Sequence, residues 1–245
     1  MIIIPARLAS TRFRHKILCD INGEPMCVYT AKNASKADKV VLACDDESVA
    51  NIAKERGINA ILTSKTHQSG SDRINEACQL LGLKDDEIII NIQADEPFFE
   101  LKNLLFFKDF AQHAIKNGAF MASAYKSVNF NLANDENLVK VVLDSAGFAL
   151  YFSRSIIPFV RDSKDRQTHE YFGHIGIYAY SVAGLREFCG FCEHGLENAE
   201  KLEQLRALSA GKKIAMLKIA TNSVGIDTKQ DYINASKKYN FKAIL

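Results

Sequence analysis

Met1-Ile2-Ile3-Ile4-Pro5-Ala6-Arg7-Leu8-Ala9-Ser10-Thr11-Arg12-Phe13-Arg14-His15-Lys16 passes from an apolar run straight into a loop with three arginines, a lysine and no acid. The isoleucines read as a buried first strand. In a parallel α/β protein the loop after that strand sits at the mouth of the sheet, where phosphates bind. Arginine forks and a lysine point charge suit a polyphosphate, and the small residues Ala6, Ala9 and Ser10 let backbone N–H groups approach it. The alternative is a solvated basic loop. No G-x-x-x-x-G-K-[ST] and no G-x-G-x-x-G occurs there, which excludes a P-loop protein and argues against a dinucleotide dehydrogenase.

Outward from this stretch, apolar runs at residues 2–4, 40–44, 60–63 and 88–92 alternate with helical periodicity at 26–37, 47–56 and 72–81. That rhythm predicts right-handed βαβ units and a mostly parallel sheet with ligands at the strands' carboxyl ends. After residue 118 it changes: strands are expected at 119–125, 139–143, 148–152 and 174–180, with a turn at Asp144-Ser145-Ala146-Gly147. A long helix at 196–210, a strand at 214–219 and a closing helix from Thr228 follow. Residues 161–171 form the longest expected loop. The fold class is α/β and Rossmann-like, a single domain over 1–245. Residues 1–118 and 211–245 make its core, and 119–210 a late, partly antiparallel elaboration serving as lid or dimer surface.

Composition narrows the function. With 47% hydrophobic and 24% charged residues and a formal charge of +2, the chain reads as an ordinary soluble domain. It carries no charge signature of nucleic-acid or membrane-surface binding. No apolar run approaches the roughly 18 residues of a spanning helix, and the start lacks the basic lead of a signal peptide, so a cytoplasmic protein is expected. Cys189-Gly-Phe-Cys192, with His194 nearby, is a lone C-x-x-C without the further ligands of a zinc site.

Two acidic positions stand out. Asn91-Ile92-Gln93-Ala94-Asp95-Glu96-Pro97 follows an apolar run, so its carboxylates are either Mg²⁺ ligands beside phosphates or an acid pair opening a helix. Asp227, in Gly225-Ile226-Asp227-Thr228, is either a helix cap or the partner of Asp95.

Together with His67-Gln68-Ser69-Gly70 and Arg73, Lys140-Val141-Val142-Leu143-Asp144, Ala149-Leu150-Tyr151-Phe152-Ser153-Arg154, His174-Ile175-Gly176-Ile177-Tyr178 and Lys201-Leu202-Glu203-Gln204-Leu205-Arg206, these strings resemble the 3-deoxy-manno-octulosonate (Kdo) cytidylyltransferases along essentially the whole chain. That family is similar in fold to the CMP-sialic acid synthetases, with a nucleotide-diphospho-sugar transferase architecture. The resemblance implies CMP transfer from CTP to Kdo, supporting lipopolysaccharide synthesis, by a Mg²⁺-dependent homodimer. It implies that Arg7, Arg12 and Lys16 hold the triphosphate. Ser69, Gly70, Arg73 and Gln93, with the backbone near Ala6, would form the base and ribose pocket, and Ser10 would also contact CTP. Asp95 and Asp227 would ligate Mg²⁺, and Arg154, His174, Tyr178, Glu203 and Gln204 would bind the sugar acid. A related acid, such as sialic acid or 8-amino-Kdo, is the alternative substrate, and a non-catalytic nucleotide-binding domain the alternative class. The chain departs from the family in Arg12-Phe13-Arg14-His15-Lys16, where Arg-Leu-Pro-Gly-Lys is usual. It departs again at Ala94, where Gly is usual, and at Asp46, in place of a common His.

Overall fold

The computed structural model of the chain describes residues 1–10, 12–193 and 195–244. Thr11 of the basic loop and His194 after the C-x-x-C lie outside the described residues. The chain divides into two compact units, residues 1–105 with 221–245, and residues 106–220.

The first unit opens with β1 (Ile2–Ala6), wholly buried, followed after the basic loop by a short 3₁₀ turn at Lys16–Leu18. A small ribbon of β2 (Asp20–Ile21) and β3 (Glu24–Pro25) leads into α1 (Met26–Ala34). Then come β4 (Val40–Cys44), α2 (Glu47–Glu55), β5 (Ala60–Leu62), α3 (Gly70–Leu80) and β6 (Ile88–Asn91). Strands β6, β1, β4 and β5 lie side by side in that order, all parallel. The βαβ reading therefore holds. The continuous apolar strands follow from burial on both faces of such a sheet.

Helix α4 (Leu101–Lys116), which the alternation did not single out, carries the chain into the second unit. There β7 (Met121–Val128), α5 (Phe130–Ala133), β8 (Lys140–Leu143), β9 (Ala149–Ser153) and β10 (Tyr171–Ser181) follow. Next are α6 (Val182–Cys189), α7 (Gly195–Glu200), α8 (Leu205–Ser209) and β11 (Ile214–Lys218). β7 pairs parallel with β11 and antiparallel with β10; β8 pairs antiparallel with β10 and β9. The expected turn at 144–147 joins β8 to β9, with Asp144 Oδ1 accepting from the amides of Ala146 and Phe148 at 2.9 and 2.8 Å. α9 (Lys229–Tyr239) belongs to the first unit again.

Two expectations are corrected. The long helix at 196–210 is two short helices, because Lys201 takes a left-handed φ of 53°. The buried pair between Glu197 and Arg206 (2.6 and 2.8 Å) ties α7 to α8 across this break. The helix expected at 72–81 begins earlier, at Gly70, because Ser69 accepts from Asp72 N–H and caps it there.

Candidate active site

In the first unit the basic loop is pinned by Phe13. This residue, 4% exposed, packs with Ile21, Met26, Ile226 and Tyr232, so a hydrophobic peg fixes a loop whose arginines stay at the surface. His15 adopts the left-handed conformation (φ 55°) that a glycine would take more cheaply, by about 1 kcal/mol. This answers for the departure at positions 14 and 15: the path survives without glycine, and Phe13 supplies the anchor.

Asp95 stands beyond β6 on a turn closed by Glu96 N–H donating to the Gln93 carbonyl. Two further bonds hold that turn. Thr30 Oγ1 of α1 donates to the Ala94 carbonyl at 2.9 Å, and Ile226 N–H donates to the Asp95 carbonyl at 2.9 Å. The second bond draws the Asp227 segment alongside. Gly225 permits the approach, since a Cβ there would meet Glu96 Oε1 at 2.8 Å. The helix cap of α9 is Thr228, in a capping box with Asp231, so Asp227 is not the cap.

Across 211 positions of sequence, Lys16 Nζ then donates to both acids, to Asp95 Oδ2 at 2.5 Å and to Asp227 Oδ1 at 2.7 Å. Arg12 adds a contact to Asp227 Oδ1 at 3.0 Å. Burial opposes the charge on Lys16, but the two carboxylates outweigh it and raise its pKa above the ordinary value. Burial likewise works against an ionised Asp227, and Lys16 and Arg12 reverse this and hold its carboxyl below the usual range. Arg7 is exposed and meets no carboxylate among the described residues. Arg7, Arg12, Lys16 and Asp95 line a cleft of about 340 Å³ with Pro5, Ala9, Ser10, Ile17, Gln93 and Ala94, a volume suited to a small polar ligand.

The residues expected around the base fall into two kinds. Gly70, at the start of α3, packs so closely that a Cβ would lie 3.4 Å from Pro5 and 4.0 Å from Gln93 Oε1, which brings Gly70, Gln93 and the Pro5-Ala6 end of β1 together. Ser69 caps α3 by accepting from Asp72 N–H at 3.1 Å. Arg73 is only 2% exposed, and its guanidinium donates to Thr63 Oγ1 (2.7 Å), the Ser64 carbonyl (3.2 Å) and Asp45 Oδ2 (3.3 Å). Asp45 Oδ1 in turn accepts from Leu8 N–H at 2.9 Å, so Arg73 reaches the basic loop through Asp45.

The residues expected for the sugar all lie in the second unit. His174 and Tyr178 are on one face of β10, their ring centroids 5.5 Å apart. Four residues of regular strand would span about 13 Å. A bulge closes the gap: Ile175 pairs with Ala124 and Tyr178 with Ser123, leaving Gly176 and Ile177 looped out. Burial pushes the His174 imidazole down to about 3, so the ring is neutral. Burial, helped by the negative charge of Glu203, pushes the Tyr178 phenol up, so it stays protonated. Glu203 and Gln204 sit on the α7–α8 link, Gln204 buried. Arg154 is committed to the backbone, donating from Nε to the Glu200 carbonyl (2.8 Å) and from a terminal nitrogen to the Glu136 carbonyl (3.1 Å). Sequence reasoning missed Glu200, whose carboxylate accepts from Ser153 Oγ (2.6 Å) and Arg154 N–H (2.9 Å) and so fixes the end of β9. It also missed Phe13, Thr30 and Ser123, none of which carries a charge or motif that marks it. Among the described residues neither Cys189 nor Cys192 forms a disulfide, and Cys192 is exposed.

The fold and the cationic cleft define a nucleotide-handling enzyme, and a family model described as Cytidylyltransferase matches residues 1–214, making the class a nucleotidylyltransferase. The 3-deoxy-manno-octulosonate cytidylyltransferase of a Nitratiruptor species is 52% identical over 239 residues, covering 96% of this chain and 99% of its own. That of Helicobacter pylori (strain ATCC 700392 / 26695) is 50% identical over 241 residues, covering 98% of each. A solved structure of CMP:2-keto-3-deoxy-manno-octonic acid synthetase complexed with CTP superposes with a TM-score of 0.90 at 32% identity, covering 98% of this chain and 97% of its own. The chain belongs to the 3-deoxy-manno-octulosonate cytidylyltransferase family. Among the described residues, no helix is long and apolar enough to cross a membrane.

Proposed function

We propose that this chain transfers CMP from CTP to the anomeric hydroxyl of Kdo and releases pyrophosphate. The observation that carries the reading is the meeting of Asp95 and Asp227 at one cation inside the basic cleft. Full-length relatives named for this activity supply the substrate.

In this reading Arg7, Arg12 and Lys16 bind the triphosphate, and Gly70, Gln93, Ser69 and the Ala6–Ser10 backbone receive the base and ribose. His174, Tyr178, Glu203, Gln204 and Arg154 orient the sugar acid. The anomeric oxygen attacks the α-phosphorus in line; one P–O bond forms, the bond to pyrophosphate breaks, and the hydroxyl proton is lost. No side-chain nucleophile intervenes. The protein's contribution is positioning and preorganised charge.

The donor set fits Mg²⁺. Two carboxylates already converge on a shared cation, and Mg²⁺ ordinarily takes one or two carboxylates together with substrate phosphates and water. Held by Asp95 and Asp227, it would neutralise phosphate charge and lower the pKa of the attacking hydroxyl. We further place the enzyme in the cytoplasm, making CMP-Kdo for lipopolysaccharide. We assign it a homodimeric state through residues 139–159, where Leu150 and Phe159 are 59% and 74% exposed. Light scattering that shows a monomer at micromolar concentration would reject the dimer.

Pyrophosphate release, assayed with CTP and a panel of sugar acids with and without Mg²⁺, tests the whole reading. Kdo with CTP should be turned over best, and only with metal. Sialic acid or 8-amino-Kdo outrunning Kdo would reassign the substrate. Purine triphosphates matching CTP would sink the base-pocket assignment.

A further inference from the structure

Ser123 of β7 is completely buried opposite the bulge in β10. Its Oγ lies 2.8 Å from the Ile177 carbonyl oxygen, 3.4 Å from that of Ile175 and 2.9 Å from His174 Nε2. A serine hydroxyl has one proton and two lone pairs, and a carbonyl oxygen can only accept. The short contact to Ile177 therefore takes the proton. Toward His174 the hydroxyl oxygen can only accept, so Nε2 carries the hydrogen. The reverse assignment would press two oxygens together at 2.8 Å with no hydrogen between them, in a place closed to water.

A neutral imidazole protonated at Nε2 has an unprotonated Nδ1. We propose that Ser123 is a positioning residue for the reaction: it fixes His174 as the Nε2–H tautomer and so presents Nδ1 as an acceptor to a hydroxyl of the sugar acid. The proposal rests on the reading of this pocket as the sugar site. Nδ1 meets no hydrogen-bond partner among the described residues, and His174 as a residue is only half-buried. Tyr178, held protonated, supplies an O–H beside it. A neutral acceptor next to a neutral donor matches adjacent hydroxyls of a polyol and leaves recognition of the acid group to other residues.

The first test needs no variant. Long-range ¹H–¹⁵N correlation spectra of the ligand-free protein report the tautomer, with the His174 signals assigned by their loss in His174→Asn. An Nε2–H pattern that persists from about pH 5 to 8 is expected, since a buried neutral ring does not titrate there. An Nδ1–H pattern overturns the proposal. In Ser123→Ala the tautomers should mix, and KM for Kdo should rise about tenfold, the scale of one lost hydrogen bond. kcat and KM for CTP should stay within about twofold. A tautomer unmoved by Ser123→Ala overturns the role of Ser123. A tautomer that moves while KM for Kdo does not overturns its link to substrate. If His174→Asn also leaves KM for Kdo unchanged, the failure belongs to the sugar-site reading instead.

Discussion

Two lysines withdrawn from solvent, one in each unit, meet opposite fates. Lys140 is fully buried, and its ammonium donates to three backbone carbonyls, those of Asp135, Leu138 and Arg154, at 2.8, 2.6 and 2.5 Å. Burial lowers its pKa, with the charges of Asp135 and Glu200 opposing. Lys16 keeps 14% of its side chain exposed, takes two carboxylates as partners, and has its pKa raised. Carbonyls satisfy the geometry of an ammonium with partial charges only, whereas carboxylates bring full ones. The carbonyls around Lys140 belong to a fixed backbone, so Lys140 is a peg. The acids around Lys16 remain open to other partners, with Asp227 48% exposed, so Lys16 acts as a counter-ion at a working surface.

That contrast can be broken by substitution. Lys16→Met should lower turnover about 1,000-fold, the upper scale for one preorganised electrostatic contact, while leaving the fold intact. A variant with near-normal pyrophosphate release would end the catalytic assignment. Lys140→Met should do the opposite. Three buried carbonyls lose their donor, costing about 3 kcal/mol in urea unfolding, with kcat/KM of the folded fraction within about twofold of normal. Asp95→Asn and Asp227→Asn should each lower turnover about 100-fold. Because Thr228 already caps α9, Asp227→Asn should keep the helix cap and lower the melting temperature only by the small contribution of the ion pairs to Lys16 and Arg12. Normal activity there would reject the metal role.

The smallest effect concerns pH. The folded-state pKa of Asp227 is depressed, so the stability it contributes is present above its unfolded value of 3.8 and is lost as pH falls through the lower folded value. Lys16, raised from 10.5, contributes fully below that value and loses its contribution as pH rises through the folded one. The melting-temperature difference between wild type and Asp227→Asn should therefore stay flat from about pH 5 to 9 and shrink below about pH 4. A slope across the neutral range would show that another group carries the linkage.

How much of this could be read in advance depended on the range of the interaction. β4 at Val40–Cys44 was legible to the residue, because an unbroken apolar run flanked by polar turns has few other uses. The basic loop was legible because charge concentrated beside a strand end is costly without a ligand, whereas the acids at 95 and 227 also read as a helix acid and a helix cap, and only the family resemblance paired them. Helix 196–210 was misread because what splits it is a left-handed turn at Lys201, and the Glu197–Arg206 pair that ties the pieces together looks on paper like ordinary helix-surface charges. α4 does not stand out in the sequence although Leu104, Phe107 and Ala111 recur at helical spacing, since the exposed Leu105 and Phe106 blur its apolar face. The second role of Arg73, as brace for Asp45, needed coordinates: nothing in sequence tells a guanidinium facing ligand from one facing protein.

The bulge in β10 has a consequence for chain length. Measured against β7, His174 stands opposite Tyr125 and Tyr178 opposite Ser123, the spacing of neighbours on one face of an unbroken strand. Excising Gly176 and Ile177 would keep both rings on the same face at the same separation. Of the two main-chain carbonyl oxygens that would go, that of Ile177 is the one that takes the proton of Ser123. Removing one residue instead would invert every side chain on one side of the cut. A two-residue deletion here is thus silent to topology and audible only in the direction of one hydrogen bond.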